Sequence, residues 1–78
     1  MRLLAFARAK EILGLSETEI PLSPGDTPAL LLDRHFPGVR EVLPGGTRPA
    51  IDEDYAAWDT PIPPSARELA ILPPVSGG

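Results

Sequence analysis

Apolar positions along this chain come in short runs separated by proline and glycine, and each run has its own spacing. Leu3 to Ala7, with Phe6 near its end, predicts a first strand at the N-terminus. Arg8-Ala9-Lys10-Glu11-Ile12-Leu13 consists of good helix formers and stops at Gly14, so one or two helical turns are expected there. In Ser16 to Leu22, Thr18, Ile20 and Leu22 alternate with Glu17 and Glu19. That pattern predicts a strand with one wet side, and Pro21 puts it at an edge or strand end. Ser23-Pro24-Gly25-Asp26 is a turn by composition. Thr27-Pro28 then supplies a cap residue followed by proline at the first helical position.

The main helix runs from there through Leu30, Leu31, Leu32, Arg34 and His35 and ends at Phe36, before Pro37-Gly38. So short a helix is not stable alone in water, and its leucines must pack on a sheet. Arg40 to Leu43 reads as a brief apolar-polar segment closed by Pro44-Gly45-Gly46, and Arg48 to Ile51 as a short strand. Asp52-Glu53-Asp54 is a turn, and Tyr55 to Trp58 returns from it. Glu68 to Leu72 is the most strand-like run of the second half. The order is strand, short helix, strand, main helix, then several short strands. This predicts an α+β fold, a small mixed sheet with helices on one face. Its apolar first and last strands suit adjacent places at the sheet centre.

Composition narrows the chemistry. With 78 residues there is room for one domain, and 42% hydrophobic content supports one small core. There are no cysteines, which excludes disulfides, thiolate metal sites and a cysteine nucleophile. The single histidine, His35, argues against a zinc cluster and fits a favourable contact with the C-terminal end of the main helix. Seven basic against eleven acidic residues give a net charge of −4, which speaks against nucleic acid as a partner. No apolar run nears the roughly 18 residues that a membrane span needs, and Met1 to Arg8 is too short for a secretory signal. The expectation is a soluble, cytoplasmic chain with no membrane partner. Three adjacent acids at Asp52-Glu53-Asp54 lack the spacing of a calcium loop and read as a solvated turn. Pro44-Gly45-Gly46 lacks the Lys-Ser/Thr of a phosphate loop and also reads as a turn.

The sequence closes Pro73-Pro74-Val75-Ser76-Gly77-Gly78, and its last ten residues carry no charged side chain. Many termini simply fray. Here, however, Pro73-Pro74 favours an extended exit, and Gly77-Gly78 leaves no side chain beside the α-carboxylate, so the end of the chain suits a narrow channel. A carboxylate is a poor electrophile, but adenylation turns it into a mixed anhydride that a sulfur nucleophile can attack. The product would be a thiocarboxylate on Gly78.

The stretch from Leu69 to Gly78, with its Pro-Pro-Val-Ser-Gly-Gly ending, resembles the C-terminus of the molybdopterin synthase small subunits, the MoaD–ThiS sulfur-carrier family. The resemblance extends to Leu4–Gly14 (opening strand and first helix), Thr27–Gly38 (main helix and exit) and Ala50–Tyr55 (a strand-turn). It therefore covers nearly the whole chain. Ser65-Ala66-Arg67-Glu68 stands where the family usually has a Gly-Asp-Glu turn, and Asp52 stands where asparagine is usual.

The resemblance implies a β-grasp, ubiquitin-like domain over residues 1–72 and a flexible tail over 73–78. It implies that Gly78 is adenylated and becomes 1-thioglycine, and that Pro73, Pro74, Val75, Ser76 and Gly77 insert into a partner's active site. Phe6, Tyr55 and Leu72 would form the partner interface; the competing reading of these residues, and of Trp58, is core packing. The implied partners are the synthase large subunit of a heterotetramer, a ubiquitin-activating-like adenylyltransferase that uses ATP and magnesium, and a sulfurtransferase. No cofactor is expected on this chain itself, and the catalytic side chains would lie on the large subunit. Other readings of the same tail are a carrier for thiamine thiazole or tRNA thiolation, a ubiquitin-like protein modifier, and an inert interaction domain.

Overall fold

The computed structural model describes residues 1–74. Its elements are β1 (Arg2–Ala5), α1 (Ala7–Leu13), β2 (Glu17–Glu19), α2 (Pro28–His35), α3 (Val39–Val42), β3 (Arg48–Ile51), β4 (Asp54–Tyr55) and β5 (Glu68–Leu72). The five strands form one sheet in the order β2-β1-β5-β3-β4. As expected, the first and last strands are neighbours, and they run parallel, with Leu3 beside Leu69 and Ala5 beside Ile71. The other pairings are antiparallel. The fold is the mixed-sheet β-grasp, and its architecture follows from where the apolar positions lie.

Leu3 and Ala5 of β1, Leu69 and Ile71 of β5, and Ile51 of β3 face one side of the sheet and meet Ala9, Leu31, Leu32 and Val39 of the helices. Leu31 and Leu32 are fully buried. Burying a leucine contributes about 1.5–3 kcal/mol, so an eight-residue helix that would unravel alone is held by its contacts. The helix begins as the sequence predicts. Thr27 Oγ1 accepts a hydrogen bond from the Leu30 N–H at 3.1 Å, and Pro28 occupies the first turn.

One segment takes a form that its pattern did not specify: Val39–Val42, overlapping the brief apolar-polar stretch Arg40–Leu43, is a helical turn. Gly38, with φ of 82°, turns the chain off the end of α2. Arg40 then grips Asp33 with two hydrogen bonds, Nε–Oδ1 at 2.8 Å and Nη2–Oδ2 at 2.7 Å, tying α3 to α2. The first strand also ends earlier than expected, and Phe6 caps α1 instead of extending β1.

Two carboxylates fasten loops to this frame. Asp26, almost fully buried, accepts a fork of hydrogen bonds from Arg34 at 3.0 and 2.7 Å and another from the Ser23 N–H at 2.9 Å. Its own backbone carbonyl accepts from the Ile62 N–H at 2.9 Å. Asp52 and Glu53 form the β3–β4 turn in left-handed conformation, with φ of 46° and 73°. Asp52 Oδ1 also accepts from the N–H groups of Arg67 and Glu68 at 2.9 and 3.1 Å, pinning the start of β5. Acceptor oxygen is all this position needs, which explains why aspartate serves where asparagine is usual.

Candidate functional site

The sheet face away from the helices carries the candidate interface, and strand register decides which residues lie on it. Side chains alternate between faces along a strand. With Leu3, Ala5, Leu69 and Ile71 inward, Arg2 and Leu4 of β1 and Glu68, Ala70 and Leu72 of β5 point outward. Arg48 pairs with Leu72, Ala50 with Ala70, and Tyr55 with Ala50, so these share the outer face. Phe6 follows Ala5 in extended conformation (φ −126°, ψ 152°), which carries the alternation on and turns its ring outward. Ala7 then takes φ of 52°, a left-handed conformation that costs an alanine roughly 1–2 kcal/mol. Strain at this point starts α1 immediately and leaves Phe6 at the rim of the sheet.

The outer face therefore has two unlike ends. At one, Arg2 lies between Glu17 and Glu68 at 3.4 and 3.5 Å, and the N-terminal ammonium lies 3.3 Å from Glu19. At the other, Phe6 is 44% and Tyr55 is 55% exposed, with half-buried Leu72 on the same face. The Arg48 guanidinium sits 4.6 Å from the Tyr55 ring centroid and has no carboxylate partner among the described residues. A cation over an aromatic face holds that ring in place while leaving its other side open.

Of the residues singled out from the sequence, Phe6, Tyr55 and Leu72 thus share one surface. Trp58 is half-buried and packed against the core, its carbonyl accepts from the Ala29 N–H, and its remaining surface lines a cavity shared with Arg48 and Tyr55. Pro73 is exposed and Pro74 half-buried, just past β5. The remaining tail residues singled out, Val75, Ser76, Gly77 and Gly78, lie outside the described residues. His35 occupies the last turn of α2, away from this surface. Among the described residues no three His, Cys, Asp or Glu side chains are grouped so as to hold a metal ion, and no helix is long and apolar enough to cross a membrane.

Sequence reasoning missed the Asp26–Arg34 clamp, the Arg48–Tyr55 stack and the contact of Gly46 with Pro74. Arg34 holds the Asp26 carboxyl below the usual carboxylate range against the opposing effect of burial. Arg40 does the same for Asp33. Both pairs sit on the helical side and serve the frame. Aspartate closing a Ser-Pro-Gly-Asp turn was a visible signal for the first of them; nothing local marked the other contacts.

The ThiS family model matches residues 3–78. The chain belongs to the ThiS family. That match takes in the tail as well as the sheet. Among curated proteins, a molybdopterin synthase sulfur carrier subunit from Arabidopsis thaliana is 36% identical over 81 aligned positions, covering all of this chain and 82% of the relative. Among solved structures, a putative molybdopterin converting factor subunit 1 from Pyrococcus furiosus superposes with a TM-score of 0.72 at 23% identity, covering 95% of each chain. Small archaeal modifier protein 1 of Haloferax volcanii gives a TM-score of 0.73 at 18% identity, again over 95% of each chain. These structural likenesses establish for this ThiS-family chain the β-grasp fold and nothing finer.

Proposed function

We propose that this chain is the sulfur carrier subunit of a molybdopterin synthase. The observation that carries the proposal is the 36% identity, along the whole chain, to a plant protein of that name. The uncharged Pro-Pro-Val-Ser-Gly-Gly ending agrees with it. Fold alone does not choose, because β-grasp neighbours include a protein modifier as well as a molybdopterin converting factor.

In this reading, a carboxylate oxygen of Gly78 attacks the α-phosphorus of ATP on a ubiquitin-activating-like adenylyltransferase, and pyrophosphate leaves. A sulfide-level nucleophile, delivered by a sulfurtransferase, then adds to the acyl carbon and expels AMP. The result is a thiocarboxylate in place of the carboxylate. Magnesium and ATP belong to the partner; this chain contributes the acyl group. Residues 73–78 act as the tail, with Pro73 through Gly77 threading the partner sites, and Phe6, Tyr55 and Leu72 dock the body. Apolar area left open on a small domain marks such an interaction surface, and aromatic anchors commonly carry much of the binding energy.

The charged tail then enters the synthase large subunit, whose side chains perform the catalysis. There it donates sulfur to cyclic pyranopterin monophosphate. A dithiolene holds two sulfur atoms, so one product molecule consumes two thiocarboxylates and returns two carboxylate chains for recharging. The test is a single-round reconstitution with pre-charged chain, large subunit and limiting pterin substrate. Molybdopterin formed in proportion to charged chain, at one product per pair, is the expected result. Absence of product, with the same chain instead appearing linked to protein lysines, would overturn this reading in favour of a modifier.

A further inference from the structure

Four glycines among the described residues have positive φ: Gly14 at 78°, Gly25 at 85°, Gly38 at 82° and Gly46 at 88°. A Cβ added at the first three meets nothing within 4 Å, so backbone conformation alone accounts for glycine there. Gly46 is different. A Cβ at that position would stand 3.0 Å from Pro74 Cβ and 3.8 Å from Pro74 Cα and Cγ. The root of the tail lies directly against the bare face of this glycine.

The turn that presents Gly46 is well anchored. The Thr47 N–H donates to the Pro44 carbonyl at 3.1 Å, and Thr47 Oγ1 donates to the same oxygen at 2.6 Å. Thr47 is buried despite being polar. Immediately after it, Arg48 pairs with Leu72, so the turn and the end of β5 belong to one stretch of sheet. Pro74 therefore rests on a fixed platform. Proline locks φ near −65°, so a shift imposed on Pro74 is passed along the chain and is poorly absorbed where it arises.

We propose that Gly46 is a positioning residue for the tail: it seats Pro74 against the Pro44–Thr47 turn and thereby aims the chain that follows. The consequence for activity rests on the sulfur-carrier reading, whereas the seat itself rests only on geometry. Because misplacement of a reacting group by about 1 Å costs up to roughly 100-fold in rate, a methyl group here should act at a distance on the chemistry of Gly78.

The experiment compares Gly46→Ala with Gly25→Ala. Both place alanine at nearly the same φ, but only the first meets Pro74. ATP–pyrophosphate exchange by the adenylating partner is measured with the chain as varied substrate. Gly46→Ala is expected to lose about 10-fold or more in kcat/KM for the chain, with the KM for ATP unchanged, while Gly25→Ala stays near wild type. In a Pro74→Gly background, Gly46→Ala should add no further loss. NMR reads the seat independently of activity: Gly46→Ala should move the carbon shifts of Leu72, Pro73 and Pro74, and Gly25→Ala should not. Pro74→Gly, which leaves the turn untouched and serves even if Gly46→Ala fails to fold, should move the amide signals of Gly46 and Thr47. Equal kinetics for the two alanine variants, or an undiminished loss in the Pro74→Gly background, would overturn the positioning role. Unmoved signals would overturn the seat. A wild-type chain inert to adenylation would overturn the carrier reading and with it the effect on chemistry, and the NMR result would still decide the contact.

Discussion

The two ends of the outer sheet face are built from the same strands and finished in opposite ways. At the Arg2 end, Arg2 lies within 3.5 Å of both Glu17 and Glu68, the N-terminal ammonium lies 3.3 Å from Glu19, and the surface is charged. At the Phe6 end two aromatic rings remain about half exposed, the cation beside them stacks on Tyr55, and β5 leads directly into the tail. A domain this small has little apolar surface to spare, so leaving rings of that size in water works against its own stability. The difference teaches where association is to be expected: at the unfinished end, where the tail begins. The helical side, clamped by Asp26–Arg34 and Asp33–Arg40, provides the rigid backing.

The largest expected effect comes from the tail. Deleting Gly78, or adding a residue beyond it, should abolish sulfur loading while leaving the melting temperature of the body unchanged; loading assays and thermal melts read the two separately. Loading that persists would break the link between the unfinished end and the chemistry.

Next in size are the rings. Phe6→Ala and Tyr55→Ala should each weaken binding to the large subunit by about 1–2 kcal/mol, roughly 10-fold in Kd by calorimetry. Replacing Arg2 with alanine at the finished end should leave Kd within about twofold. Equal losses at both ends would erase the contrast between them.

The clamp is expected to affect stability and not binding. Asp26→Asn should lower unfolding free energy by about 2 kcal/mol in urea titrations at neutral pH, since the arginine loses a buried charged partner. Arg34 depresses the Asp26 carboxyl in the folded chain. This contribution is therefore complete above the ordinary aspartate value of about 3.9 and fades as pH falls through the lower folded value. The variant should lose less stability than wild type between pH 5 and pH 2, as read by melts across that range.

The smallest effect belongs to the exposed ion pair at the finished end. Glu17→Gln should change stability by no more than about 0.5 kcal/mol, as both side chains are half exposed.

What the sequence disclosed was local. The Thr27 cap, Pro28 behind it, Gly14 ending α1 and the wet edge strand β2 all follow from spacing and turn chemistry within a few residues. The neighbouring central strands were legible because only β1 and β5 are apolar enough for that place. The α3 turn was not legible, since its helical form depends on Gly38 redirecting the chain and on Arg40 reaching back to Asp33. For the site, the outward position of Phe6, Tyr55 and Leu72 came from family resemblance; the structure places all three on one face by strand register. The Arg48–Tyr55 stack and the Gly46–Pro74 contact join segments distant in sequence, and only the assembled sheet brings them together.

Fragmentation mass spectrometry of the chain after incubation with ATP, magnesium, an adenylating enzyme and sulfide bears most directly on the carrier role. Exchange of one oxygen for sulfur adds about 16 Da, and the account predicts that gain on fragments containing Gly78 and on no others. Fragments of unchanged mass, or a gain located within residues 1–74, would contradict it.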